Sequence, residues 1–596
     1  MLTLPTRVSR AALASAFLLA ACSLPQPAAA PPPMFSKRAE SPRGVVTASH
    51  ADAAAAGATI LRQGGNAVDA AVATAFALAV VDPSQTGLGA GGGMVVWNAA
   101  THRAEMLEFY SRTGADADWA RFDSATARQP INGRAAGIPG AVAGLLEAHA
   151  KYGKLPRAQV MAPAIALARD GFIVSPLLAR TSEASRAKLS ADSAAAALFL
   201  PGGVALRPGE KLVQAQLAQT LEAIAKDGKP AFYEGAMAER TVARMRQFGS
   251  AANVADFKNY PVAFQRPLCT SWMGYTLLSA PPPLGGAVPL GALNLLAATN
   301  SVPLGSPTTQ GAAAVQIINA LRVSEADAGK FRGDPAYFAV PARGLVSPAY
   351  AAKRASAVGP LDGASQPTAG DPWPDDAVAP TGACATIDGW GASTLGPDKV
   401  APTRAPRAGG DDDDAAAAWA GSNTTHFSVV DGDHNAVSMT FTVGVLFGSG
   451  VYVNGFFLNS GASNLDNGTR GPNRYASSTI NPTIILKGND VRMVVGAAGS
   501  QYIPTSTTQV TWRHLALGED PWTAIASPRL QPAAGRSIEV EAGFAPEVYA
   551  ALRAKGYYPL SRVGDIMFGG VHMISVTKGT IIGVADPRRD GAAVAY

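Results

Sequence analysis

At 596 residues, 47% of them hydrophobic and 16% charged, the chain has the apolar material for a large core, and its length predicts a few domains or one large one. The formal net charge of +5 comes from 49 basic and 44 acidic residues spread along the sequence. No basic block with interleaved aromatics occurs, so nothing in the charge pattern supports nucleic-acid binding.

Arg7 and Arg10 precede an apolar run, Ala11 to Ala21, that is too short to span a bilayer and reads as a signal peptide over residues 1–21. The run ends in Leu19-Ala20-Ala21-Cys22. That tetrad resembles the lipobox of bacterial lipoproteins, which implies lipidation at Cys22; Ser23 after it favours a periplasm-facing anchor in the outer membrane. An ordinary signal peptide with a chance cysteine is the alternative. Residues 22–43 then give a proline-rich spacer that cannot pack. Cys269 and Cys384 remain; a bridge between them and two separate thiols are both open, and their spacing is not that of metal ligands.

Further on, Gly64-Gly65-Asn66 separates two helical stretches, Ala51 to Arg62 and Ala67 to Val80, glycine ending one and asparagine capping the next. The second is apolar almost all round and should be buried. Gly87, Gly89 and Gly92 satisfy a G-x-G-x-x-G pattern, but a proline-containing turn precedes it and a strand-like run, Met94 to Trp97, follows. A dinucleotide fingerprint needs the reverse order, so no cofactor is predicted. Helices are expected from Arg134 to about Gly171, apart from a stop at Gly153, and over 210–250. A strand, a proline-glycine corner and a helix follow from Pro267.

Residues 356–421, rich in Gly, Pro, Ala and Asp, read as a linker or mobile surface loop. The last third is strand-rich: Thr424 to Val430, Ala436 to Val443, Thr483 to Leu486, Met493 to Val495, Ile574 to Val576 and Ile581 to Val584.

The first two of these strands flank the turn "DGDHN". Pairing Val430 with Ala436 fixes a hairpin register that sets Thr424 opposite Thr442 and His426 opposite Thr440 on one face, with Thr425 and Phe427 on the other. Directly opposed side chains have Cβ atoms about 4.5–5.5 Å apart, within reach of a hydroxyl–hydroxyl hydrogen bond. Threonine-rich hairpins also arise simply because threonine suits strands. A threonine hydroxyl is a weak nucleophile unless a base takes its proton. Cutting the Asn423–Thr424 bond would supply an α-amine, which titrates near pH 7.7–8.0, as that base. His426 is the rival base.

At this point the sequence resembles the γ-glutamyltransferases, self-processing N-terminal-nucleophile hydrolases. The stretches that carry the resemblance run from about Gly44 to Tyr596: "ILRQGGNAVDAAVATAFALAVVDP", "GIPGAVAGLLEAHAKYGKLP", "FYEG", "GYTLLSAPPPLGG", "TTHFSVVDGDHNAVSMTFTVGVLFGSG" and "ADPRRDGAAVAY". The resemblance implies an α/β (α+β) fold, the αββα four-layer sandwich. It further implies a large subunit, 44–423, and a small catalytic subunit, 424–596, which stay associated after self-cleavage before Thr424.

Residue by residue, the resemblance makes Thr424 the nucleophile and Thr442 its hydroxyl partner. Gly499 and Ser500 stand where the family has an oxyanion-hole Gly-Gly pair, and Ser478 and Thr479 stand for the Ser-Ser pair that helps hold the substrate carboxylate. The family's carboxylate-clamping arginine falls on Tyr110, with Arg112 two residues on. The asparagine, glutamine and aspartate that hold the α-amino group fall on Gly444, Gly461 and Asn464. Neutral groups thus replace charged ones, and charge-assisted hydrogen bonds are roughly twice as strong as neutral ones. The implied function is cleavage of γ-glutamyl or related acyl amides through an acyl-enzyme, without cofactor or metal. Two alternatives are an acylase for non-glutamyl amides and a non-catalytic envelope lipoprotein that keeps the fold.

Overall fold

A computed structural model describes residues 36–116, 129–299, 305–387, 424–465, 471–562 and 568–596. The signal peptide, Cys22, most of the spacer, residues 388–421 and Asn423 lie outside them.

Two sheets, antiparallel throughout, are stacked face to face. The first runs, strand by strand, Ala592–Ala595, Gly44–Ala48, Thr425–Asp431, Ala436–Thr442, Gly91–Asn98, Arg103–Phe109 and Ala263–Gln265. The second runs Arg38–Ser41, Thr580–Ala585, Gly570–Thr577, Asp490–Val495, Thr483–Lys487, Tyr275–Ser279 and Leu268–Trp272, with Ala497–Ala498 pairing alongside Gly570–Thr577. Helices Ala51–Arg62 and Ala67–Val81 cover the first sheet, and Ala287–Thr299 and Tyr502–Thr511 cover the second. This is the αββα arrangement, four layers deep.

The hairpin strands explain why the layers stack. Every residue of Thr425–Asp431 and Ala436–Thr442 is buried, so each strand needs a covering layer on both faces. Phe427 and Phe441 meet edge to face on the helix side, ring centroids 6.3 Å apart, against Ala67–Val81, itself buried at every position. The opposite face carries hydroxyls, and these pair with the second sheet: Ser428 Oγ donates to the His572 carbonyl at 2.9 Å and Ser438 Oγ to the Val495 carbonyl at 3.1 Å. Buried hydroxyls matched to carbonyls in this way cost little.

The glycine-rich stretch leads into the strand Gly91–Asn98, as its sequence predicts. A Cβ at Gly89 would stand 2.1 Å from the Phe457 carbonyl oxygen, so glycine there serves chain packing. The linker expectation needs correcting for 356–387. Asn319 Nδ2 donates to the carbonyls of Val358 and Leu361, both at 2.9 Å, short helices form at Trp373–Asp376 and Ala383–Ile387, and Cys384 is disulfide-bonded to Cys269. Backbone carbonyls captured by a buried amide hold this segment to the body where composition alone suggested a loop.

Candidate active site

The turn between the hairpin strands is built around Asp431, whose carboxylate accepts from the backbone N–H of Asp433 at 3.0 Å, Asn435 at 2.9 Å and Ala67 at 2.9 Å. That anchorage to the start of a helix sets the register, which runs from Val430↔Ala436 to His426↔Thr440 and Thr425↔Phe441. One further step sets Thr424 across from Thr442, as the turn sequence predicts. Both are 3% exposed, so the pair is buried. Thr442 Oγ1 accepts from Gly444 N–H at 2.8 Å, which leaves its proton for a second acceptor.

His426 is engaged on both sides. Nδ1 shares a hydrogen bond with Thr440 Oγ1 at 2.7 Å and Nε2 with Ser428 Oγ at 3.2 Å. Burial holds its pKa well below the ordinary histidine value. A Cβ at Gly496 would stand 2.4 Å from Cε1 of its ring, so the imidazole is wedged against backbone. This arrangement fixes the strand pair and leaves His426 no lone pair directed at Thr424, which counts against the rival-base reading.

Gly499 and Ser500 connect the strand Ala497–Ala498 to the helix Tyr502–Thr511. Both have left-handed backbone angles, φ 131° and 52°. Their carbonyls are committed: Tyr502 N–H donates to Gly499 O at 3.0 Å, Ile503 N–H to Ser500 O at 3.1 Å, and Thr479 Oγ1 to Ser500 O at 2.8 Å. The held Gly499 carbonyl fixes its peptide plane and so the direction of the Ser500 N–H. A serine at positive φ costs about 1 kcal/mol relative to glycine, and such strain concentrates at functional sites.

Three of the expected substrate contacts meet. Tyr110, buried, hydrogen-bonds the side chains of Ser478 and Asn464, and burial raises its phenol pKa. It follows Phe109, which pairs with Gly92, while the neighbouring Gly91 pairs with Thr442; a Cβ at Gly91 would stand 2.7 Å from the Tyr110 carbonyl carbon and 2.9 Å from Ser111 Oγ, so the chain at Tyr110 and Ser111 packs directly over the strand partner of Thr442. Arg112 does not join this group. Its backbone bridges Ile138 and Tyr475, and its guanidinium lies over the Tyr475 ring, 5.7 Å from the centroid.

Gly444 and Gly461 are closed to larger side chains. A Cβ at Gly444 would stand 2.2 Å from Ser460 Oγ, and one at Gly461 would stand 2.3 Å from Ser111 Cβ. Asn459 ties these loops together, its amide donating to the carbonyls of Gly89 at 2.8 Å and Gly137 at 3.1 Å and its oxygen accepting from Gly137 N–H at 3.0 Å and Gly461 N–H at 2.9 Å. Ser111, Asn459 and Ser460 escape a sequence reading, because small polar residues in loops carry no spacing signal.

Residues 53–596 match the model of the Gamma-glutamyltranspeptidase family. The chain is 31% identical over 567 residues to a glutathione hydrolase proenzyme of Bacillus subtilis (strain 168), covering 92% of this chain and 91% of that one. To an acylase ACY 1 proenzyme of Pseudomonas sp. (strain SE83) it is 30% identical over 584 residues, covering 94% of each. Among solved structures, cephalosporin acylase from Bacillus halodurans superposes with a TM-score of 0.80 at 25% identity, over 96% of this chain and 99% of that one. With the layered fold, the opposed threonines and these likenesses extending over nearly the whole length, the chain belongs to the γ-glutamyltransferase family and is an acyl-transferring enzyme of the N-terminal-nucleophile type.

Proposed function

We propose that this protein cleaves itself before Thr424 and then uses that residue as the nucleophile on an acyl amide. The observation that carries the reading is the hairpin register, which continued by one step brings the buried Thr424 opposite the buried Thr442. The proenzyme names of its relatives add support.

In the acylation step Thr424 Oγ attacks the amide carbonyl carbon while the new α-amine of Thr424 takes the hydroxyl proton. The carbonyl oxygen becomes an oxyanion facing the N–H groups of Gly499 and Ser500, each such donor being worth about 10²–10³ in rate. Collapse breaks the C–N bond, the leaving amine takes the proton back, and a threonyl ester remains. Water or an acceptor amine then attacks that ester and releases Thr424. The Cys22 lipobox and the following spacer fit an enzyme held at the periplasmic face of a membrane.

Purified wild-type protein should run as two fragments on a denaturing gel and Thr424→Ala as one. Cys269 and Cys384 both precede Asn423, so the pattern should be the same with and without reductant. A single intact wild-type band would sink the self-processing reading. Covalent labelling of Thr424 by an electrophilic amide analogue separates an enzyme from a non-catalytic envelope scaffold.

A further inference from the structure

A γ-glutamyl head is a zwitterion, and enclosing it asks for a cation against its carboxylate and an anion against its ammonium; a buried charge without its partner costs several kcal/mol. Among the described residues this pocket offers neither at the expected positions. Where the clamp arginine would stand is the Tyr110 phenol, hydrogen-bonded to an amide, Asn464, and a hydroxyl, Ser478. All three are neutral, and each can both donate and accept.

The nearby cation is committed elsewhere. Arg112 lies over the Tyr475 ring, and its charge acts on Asp334, whose carboxylate also accepts from Tyr475 N–H at 3.0 Å. Ile138 N–H donates to the Arg112 carbonyl at 2.7 Å, so bringing this arginine to the Tyr110 position would mean breaking a backbone bridge.

The other wall is neutral too. Ser460 Oγ occupies the space a side chain at position 444 would need, and Ser111 the space at position 461. Ser111 Oγ is buried and makes no hydrogen bond among the described residues. It lies in a slot whose other walls are glycines: a Cβ at Gly91, the strand partner of Thr442, would stand 2.9 Å from it, and one at Gly461 2.5 Å. A buried hydroxyl left unpaired beside a reactive residue is a group that a bound ligand satisfies.

Building on the proposed Thr424 chemistry, we infer that the acyl pocket selects amides whose acyl chain ends in an uncharged hydrogen-bonding head, such as a carboxamide. Tyr110, Asn464 and Ser478 read that head, and Ser111 and Ser460 shut out the larger side chains that would grip an ammonium. Selection against the zwitterion follows from unpaired charge, while selection for the neutral head follows from neutral groups that can exchange their mutual hydrogen bonds for ones to the ligand and from the Ser111 hydroxyl, which has no partner among the described residues.

Three p-nitroanilides of equal chain length test this: γ-glutamyl, glutaryl, and 4-carbamoylbutyryl, the last being the glutaryl compound with its carboxylate turned into an amide. Self-cleaved wild type should show kcat/KM about tenfold or more higher on the carbamoyl compound than on either other. Tyr110→Phe should lower that value about tenfold while self-cleavage stays intact. Tyr110→Arg with Asn464→Asp should move the preference toward the γ-glutamyl compound by about tenfold or more. A wild type that prefers the γ-glutamyl or the glutaryl anilide overturns the inference, as does an enzyme that is cut and labelled at Thr424 yet turns over none of the three. A wild type that is neither cut nor labelled overturns the Thr424 reading itself, and this inference with it.

Discussion

Asp82, the residue that ends the helix Ala67–Val81, sits behind the threonine pair. Its carboxylate accepts from Gln85 Nε2 at 3.0 and 3.1 Å and from the Ser49 hydroxyl, and Ser49 Oγ is hydrogen-bonded to Thr425 Oγ1. The Gln85 carbonyl accepts from Val443 N–H at 3.0 Å. The residues next to Thr424 and Thr442 thus hang on one short buried turn. Burial pushes the Asp82 carboxyl up to about 7 from an ordinary 3.8. Between those values the folded chain holds a proton that the unfolded chain has lost, so this group's contribution to stability falls as pH rises through the window and levels off above 7. Asp82→Asn lacks that slope. Relative to wild type, its stability should improve by about 2–3 kcal/mol between pH 5 and pH 8, read from thermal unfolding at a series of pH values. Parallel pH dependence in the two proteins would mean that Asp82 is ionised inside the fold.

Among the elements, the hairpin is the most legible in the sequence, because a turn of fixed length and a period-two pattern together leave one register. The paired helices before it are legible for a similar reason: Asn66 and Asp69 form a reciprocal cap that the letters announce. The helix Gly311–Lys330 is missed, because buried Asn319, Arg322 and Asp327 interrupt its apolar stripe; their partners include carbonyls of the segment misread as linker. Tyr502–Thr511 is helical although its threonines favour strands, packing having overridden propensity. In the site, Thr424 and Thr442 can be found by register, whereas Ser111 and Ser460 act through contacts between loops remote in sequence. His426 marks where a single strand reading fails: spacing places it beside Thr424, but only the third dimension shows Gly496 closing on its ring. Gly496→Ala should overpack that contact by about 1–3 kcal/mol, lowering the thermal midpoint and slowing fragment formation on a gel time course. Gly359→Ala, with nothing within 4 Å of the new Cβ, should do neither.

At the scale of the molecule, a cut before Thr424 would not divide either sheet. Gly44–Ala48, from the large side, lies between Ala592–Ala595 and Thr425–Asp431 of the small side, and Ala436–Thr442 pairs with Gly91–Asn98. In the second sheet Thr483–Lys487 pairs with Tyr275–Ser279, and Thr580–Ala585 with Arg38–Ser41. Each of these ladders crosses between the fragments, so both would have to unzip before they could part. The same weave brings Ser36 and the first strand beside the last one: Ala593 N–H donates to the Ser36 carbonyl at 2.9 Å, and Ser41 Oγ to the Tyr596 carbonyl at 2.7 Å. A linker of about four residues, reaching about 13 Å, therefore suffices to join Tyr596 to Ser36. The gene can be rewritten as a circular permutant that opens at Thr424 behind a removable leader, runs through 596 into 36 and ends at Asn423. Such a chain would hold a free threonine amine from the outset and should turn over amide without ever cutting its own backbone; a folded but inactive permutant would show that scission does more than liberate an amine.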